Sequence, residues 1–130
     1  MPAAGTIDIF RGIVADQTTA PDRPHHRSAL AETQTFVRLF MIPGQGHGYG
    51  LGPSEVSQID VLFAWVERGE APRRIVATQY VHDDPAQGVQ ATRPLFPYPQ
   101  TTGYAGSGDP TRAENYRALP HPWPNDPRQE

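Results

Sequence analysis

The apolar positions Phe36, Val37, Leu39, Phe40, Met41 and Ile42, interrupted only by Arg38, fall on both faces of an extended chain. That pattern predicts a strand over residues 36–42 in a central rather than an edge position. It stops at Pro43-Gly44, and a glycine-rich segment follows in which His47 is the single imidazole. A helical pattern is predicted over residues 54–68: Ile59, Leu62, Phe63 and Val66 recur at i, i+3, i+4 and i+7, with Trp65 beside them. Glu55 suits the positive end of that helix dipole, Arg68 the negative end, and Gly69 the C′ position, while Pro72 prevents the helix from resuming.

Upstream, Ile7, Phe10 and Val14 predict a short helix over residues 6–15, with Thr6 as its cap and Asp8 in its first turn. Residues 16–33 are polar, contain prolines and keep no period. They read as a surface excursion with one helical turn around 29–32. Residues 74–80 are rich in β-branched side chains and read as a short strand. The segment RPLFPYPQ that follows cannot be an interior strand, because its three prolines remove three backbone donors.

Composition sharpens this outline. Fifteen prolines and twelve glycines make up about a fifth of the chain, against an ordinary share near 12%, and most of the excess follows residue 82. The C-terminal third is therefore expected as ordered loop, with a tail over residues 119–130. A chain of 130 residues holds one small domain at most. A formal charge of −3 gives no reason to expect nucleic acid or an anionic membrane as partner. No apolar run reaches the roughly 20 residues that span a bilayer, and the N-terminus lacks the pattern of a signal peptide. The absence of cysteine removes disulfides, thiolate nucleophiles and Cys-based zinc sites, which weakly favours the cytoplasm. No cofactor and no metal is expected.

Among candidate chemical groups, His47 stands where a strand hands an imidazole to a tight glycine loop, as in hydrolases of the α/β class. Read from its neighbours alone, it is more often a tolerant loop residue than a base. The run GQGHGYGLG superficially suggests a phosphate loop but lacks the Lys-Ser/Thr that such binding needs. His25-His26 with Asp22, and His82-Asp83-Asp84, have donors for a divalent cation, although polar loops often produce such clusters. Trp65 and Tyr98 read as packing residues, and Arg93 as an anchor for the C-terminal loop through backbone carbonyls.

Several segments in one register carry a resemblance. RLFMIPGQGHGYGLGP at 38–53, LFAWVERGEAP at 62–72, RPLFPYPQTTGYAGSGD at 93–109 and ENYRA at 114–118 resemble segments of the tannase and feruloyl esterase family, in that order; so does GTIDIF at 5–10. The resemblance implies a serine carboxylesterase with an α/β-hydrolase core, acting on esters of aromatic acids. It covers about residues 5–118, with 16–33 as a loop insertion. It makes the chain the C-terminal fragment of that core, incomplete as a domain: last core strand, catalytic-histidine loop, helix and Pro-rich wrap.

By resemblance His47 is the general base of the triad. The family's nucleophilic serine and triad aspartate both fall before the first residue of this chain. None of Ser28, Ser54, Ser57 and Ser107 has the context of a nucleophile elbow, and the alignment supports neither Asp8 nor Asp16 as the acid. The family's cysteine after the catalytic histidine is Gly48 here, and two further cysteines correspond to Phe96 and Ala118. If those two pair in relatives, a loop-to-tail clip contributing about 2–4 kcal/mol has been lost. Two expectations follow. In one, the missing N-terminal part of the hydrolase supplies serine and aspartate, and an aromatic ester is substrate of the complete enzyme only. In the other, the chain is an inactive remnant or a small interaction module that needs a partner to fold.

Overall fold

The computed structural model describes residues 3–22, 27–45 and 51–120. Its compact units are residues 1–39 and 40–130. The first holds two helices. Helix α1, Ala3–Thr19, is longer at both ends than its apolar spacing predicts, so Thr6 and Asp8 lie in its interior and not at its start. Phe10 and Val14, two of the expected apolar positions, are buried. At its polar end the Thr18 and Thr19 hydroxyls donate back to the carbonyls of Val14 and Asp16. Ala20, which precedes Pro21, is then pushed out of helical geometry.

Helix α2, Ala29–Thr33, is the single turn expected around 29–32. Ser28 caps it, its Oγ accepting from the Ala31 N–H at 3.1 Å. Arg27 pairs with Glu32 at 3.1 Å across the same end. Thr33 is fully buried, and its hydroxyl is satisfied by the Ala29 carbonyl at 2.9 Å. A polar residue can occupy that position because it brings its own partner.

The second unit is built on antiparallel pairing. Strands β1 (Glu55–Val56), β2 (Ile75–Tyr80) and β3 (Val89–Leu95) form one sheet in that order, and β4 (Thr101–Tyr104) pairs with β5 (Tyr116–Leu119). Ile75 and Ala77 are buried while Val76 between them is exposed, the alternation of a strand with one covered face. Ile75, Ala77 and Leu95 make the core, against which Phe40, Ile42, Val56 and Val61 pack.

Helix α3, Gln58–Arg68, ends on Gly69 in the left-handed conformation at φ 69°, as its sequence predicts. Its start differs from expectation. Glu55 is paired with Thr78 in β1 and lies outside the helix, and Asp60 is the acidic residue of the first turn.

Two further expectations are corrected. Residues 36–42 form no ladder: Phe36 and Val37 bond back to the Thr33 carbonyl as α2 ends, and Phe40 alone makes an isolated bridge, to Pro97. An apolar run becomes a strand only where neighbouring strands take up its backbone groups, and here one neighbour does so at one residue. The Pro-rich third is also more regular than expected, since it contains β3, β4 and β5. Pro94 is tolerated because β3 lies at the edge of its sheet.

The C-terminal wrap is fastened by polar contacts. Thr111 accepts from the Thr92 N–H at 2.8 Å, the Thr92 hydroxyl accepts from the Ala113 N–H, and Thr102 Oγ1 donates to the Pro94 carbonyl. Tyr104 and Tyr116 face each other across β4 and β5 with ring centroids 5.5 Å apart, and Ala118 stands opposite Thr102. Leu119, taken from sequence as the start of a tail, pairs with Thr101 in β5.

The turn between β4 and β5 centres on Asp109, whose Oδ1 accepts from the Thr111 N–H at 2.8 Å and from its hydroxyl at 2.7 Å. The Thr111 N–H above all, then its hydroxyl, with Arg112 and Arg93 nearby, holds the Asp109 carboxyl below the ordinary aspartate range. A lowered folded-state pKa contributes stability above the unfolded value and loses it as pH falls through the folded one. Melting temperature should therefore decline through this group as pH falls below the ordinary aspartate value near about 4. Asp109→Asn should flatten that limb modestly, because the site is exposed, and a pair of melting-temperature titrations checks it.

Candidate active site

Both stems of the glycine-rich segment that carries His47 are fixed. On the entering side, Phe40 bridges to Pro97 and Ile42 packs on the core. Pro43-Gly44 then turns, with Gly44 at φ 77°, a region L side chains rarely occupy. On the leaving side, Ser54 donates its N–H to the Thr78 carbonyl at 2.8 Å and the chain passes into β1.

The stems meet at two glycines. A Cβ on Gly52 would lie 2.4 Å from the Gly44 carbonyl carbon and 2.5 Å from the Gln45 nitrogen. Those distances are far inside any real carbon contact, so only glycine lets the two backbones approach this closely. His47 itself, in residues 46–50, lies outside the described residues, as do His25 and His26 of the first candidate metal cluster.

Beside the stems lies a cleft of about 380 Å³, lined among others by Pro43, Leu51, Pro53, Gln79, Arg93 and Tyr116. The Arg93 guanidinium carbon stands 4.5 Å from the centre of the Tyr116 ring. Its Nη1 donates to the Thr92 carbonyl at 2.9 Å. That carbonyl belongs to its own neighbour in β3 and not to the C-terminal loop, so the contact that ties Arg93 to the wrap is the cation–π one with Tyr116.

The serines differ in surroundings. Ser28 caps α2. The Ser54 hydroxyl donates to the Asp83 carboxylate and accepts from the Tyr80 N–H at 3.2 Å, so its partners are an acid and an amide. Neither removes a proton from it in the manner of an imidazole. Ser57 precedes α3 without a side-chain cap bond.

Next to Ser54, His82 and Asp83 hold left-handed backbones at φ 52° and 58°. Their side chains diverge: His82 Nδ1 meets Gln87 Oε1 at 2.7 Å, and Asp84 accepts from the Ala86 N–H and Gln87 Nε2. Among the described residues no three His, Asp or Glu side chains converge as a metal site. No spacing in the sequence signals the Ser54–Asp83 contact, which depends on the hairpin between β2 and β3 returning beside β1. Nearby, the Tyr80 hydroxyl donates to Glu55, and that bond, more than burial or charge, raises the tyrosine pKa.

The family model described as tannase and feruloyl esterase matches residues 1–119. The chain belongs to this family. Its family membership is echoed by an uncharacterized esterase of Xanthomonas campestris pv. campestris, 42% identical over 139 residues, which cover 94% of this chain and 24% of that protein. A mono(2-hydroxyethyl) terephthalate hydrolase of Piscinibacter sakaiensis is 42% identical over 98 residues, 73% of this chain and 16% of its own length. A probable feruloyl esterase of Arthroderma benhamiae is 35% identical over 95 residues, 71% and 17% respectively.

The crystal structure of an esterase from Aspergillus oryzae has the same fold at a TM-score of 0.71 and 20% identity, over 90% of this chain and 24% of that one. The mixed arrangement of helix and sheet agrees with the α/β class expected from the sequence. The chain spans about a quarter or less of the length of the relatives it matches.

Proposed function

We propose that this chain supplies the general base of a carboxylic ester hydrolase, with His47 as that base and with the nucleophilic serine and orienting carboxylate carried on polypeptide outside these 130 residues. One observation carries the reading: the family match spans residues 1–119 and so includes the His47 segment. In this reading the segment over residues 36–42, here with its single bridge, is a core strand once neighbouring strands flank it. The glycine stems and the wrap then hold the base at the edge of the completed sheet.

The chemistry follows from a base and an alcohol. The serine oxygen attacks the ester carbonyl carbon as His47 takes its proton. The tetrahedral adduct collapses, the carbon–oxygen bond to the alcohol breaks, and the imidazolium returns the proton to that alcohol. Water, deprotonated by His47, then attacks the acyl-serine, releasing the acid and restoring the serine. The substrate class, an ester of an aromatic acid, is taken from the names of the Piscinibacter and Arthroderma relatives.

The test uses the purified chain alone and mixed with the part of the Xanthomonas relative outside the matching stretch, on an activated aryl ester. Turnover is expected in the mixture and not from the chain alone. A fluorophosphonate should label the added polypeptide and stop the reaction. Turnover by the chain alone with label on one of its own serines would overturn the assignment, as would a formed complex that hydrolyses nothing.

A further inference from the structure

Helix α3 is apolar around much more of its circumference than the sheet beneath it covers. At about 3.6 residues per turn, Val61, Trp65, Leu62, Val66, Ile59 and Phe63 follow one another around roughly 200° of the helix. A stripe of about 100° suffices for a helix buried on one side only. Val61 packs on the core, and Trp65 lines the cleft between α3 and the sheet. The other half of the arc faces outward: Ile59, Leu62, Phe63 and Val66 are 70, 58, 56 and 74% exposed.

Leu62 joins the two halves. It is exposed, and it also lines that cleft, about 330 Å³, whose wall is otherwise apolar except for Gln58. An uncovered stripe that runs into an unfilled apolar cleft costs stability in water, and such surfaces mark contacts.

We infer that the outer face of α3, Ile59, Leu62, Phe63 and Val66, with the cleft beside it, is the surface on which the remaining layer of the hydrolase core docks. The inference rests on the functional reading above for the identity of that partner. The occupant is argued from size. The fold of this chain recurs in the Aspergillus esterase as only 24% of a longer molecule, and 24% likewise of the Xanthomonas relative. The rest of such a molecule is about three times the size of the matched part, enough to lay a layer against the arc. The partner layer covers Ile59, Phe63 and Val66 and inserts side chains next to Leu62.

The experiment mixes the full chain with the part of the Xanthomonas relative outside the matching stretch and measures complex formation by calorimetry and light scattering, so that no activity is needed. A one-to-one complex is expected. Phe63→Glu and Val66→Glu, at exposed helical positions where glutamate is a good helix former, should each weaken it about tenfold or more. Circular dichroism of the free variants should be unchanged. Ile59→Lys provides the same test should either glutamate variant unfold, and Glu67→Gln, on the polar side, should bind like the parent.

Absence of a complex, or a complex indifferent to all three apolar substitutions, would overturn the inference. So would a homodimer of this chain that these substitutions convert to monomer. A complex that depends on Phe63 and Val66 but hydrolyses no ester supports the docking surface and overturns the esterase reading, so the two fail separately.

Discussion

Replacing His47 by alanine in the proposed assembled esterase should lower kcat by about 10²–10⁴-fold, the ordinary worth of the general base we assign to it. In its proposed role the side chain acts on a proton in transit, so its loss is felt in the transition state and little in ground-state binding; KM should change far less than kcat. Complex formation should be unaffected, because His47 lies on a glycine segment and the proposed docking surface lies on α3. Stopped-flow release of an aryl alcohol separates acylation from deacylation, and both phases should slow, since the proposed mechanism uses the same imidazole in each. A variant that turns over like the parent would remove His47 from the chemistry.

Gly52→Ala should be the most damaging small substitution in the second unit. Its new methyl carbon falls 2.4 Å from the Gly44 carbonyl carbon and 2.6 Å from the Gly44 oxygen. Both are backbone atoms, which cannot rotate aside as a side-chain tip can. One stem must therefore move, at a cost of about 1–3 kcal/mol typical of overpacking. Urea unfolding of the parent and variant measures that loss, and in the proposed assembly kcat should fall with it as the stems shift.

Gly12→Ala is the matching control. It lies within α1, where an added carbon meets nothing within 4 Å, and alanine there should stabilise by about 0.5–1 kcal/mol. If Gly52→Ala is as mild as Gly12→Ala, the close approach of the stems has no structural weight.

What the sequence made legible follows from how local each signal is. The left-handed stop at Gly69, the turn at Ala29–Thr33 and the β-branched run of β2 depend on neighbours along the chain, and they stand where expected. The start of α3 was harder to read, because Glu55 serves a two-residue strand whose partner, Thr78, is remote in sequence. Residues 36–42 have strand composition, yet composition cannot supply the neighbouring strands that make a ladder. β4 and β5 went unread for the opposite reason: TTGY and YRAL are short and only weakly alternating, and their pairing comes from the loop between them.

At the candidate site, the glycine richness around His47 was plain. The contact between Gly44 and Gly52, eight positions apart, needed coordinates, and so did the cleft next to the stems. The apolar period of α3 was read correctly, but periodicity alone does not say which half of a wide arc meets the sheet.

The wrap formed by β4 and β5 is closed by Leu119, whose side chain occupies the space a Cβ on Gly103 would need, by the Tyr104–Tyr116 pair and by Arg93 over Tyr116. A seam of that kind assembles with no oxidant and is indifferent to thiol reagents. Its latching is therefore governed by heat and denaturant rather than by the redox poise of its surroundings.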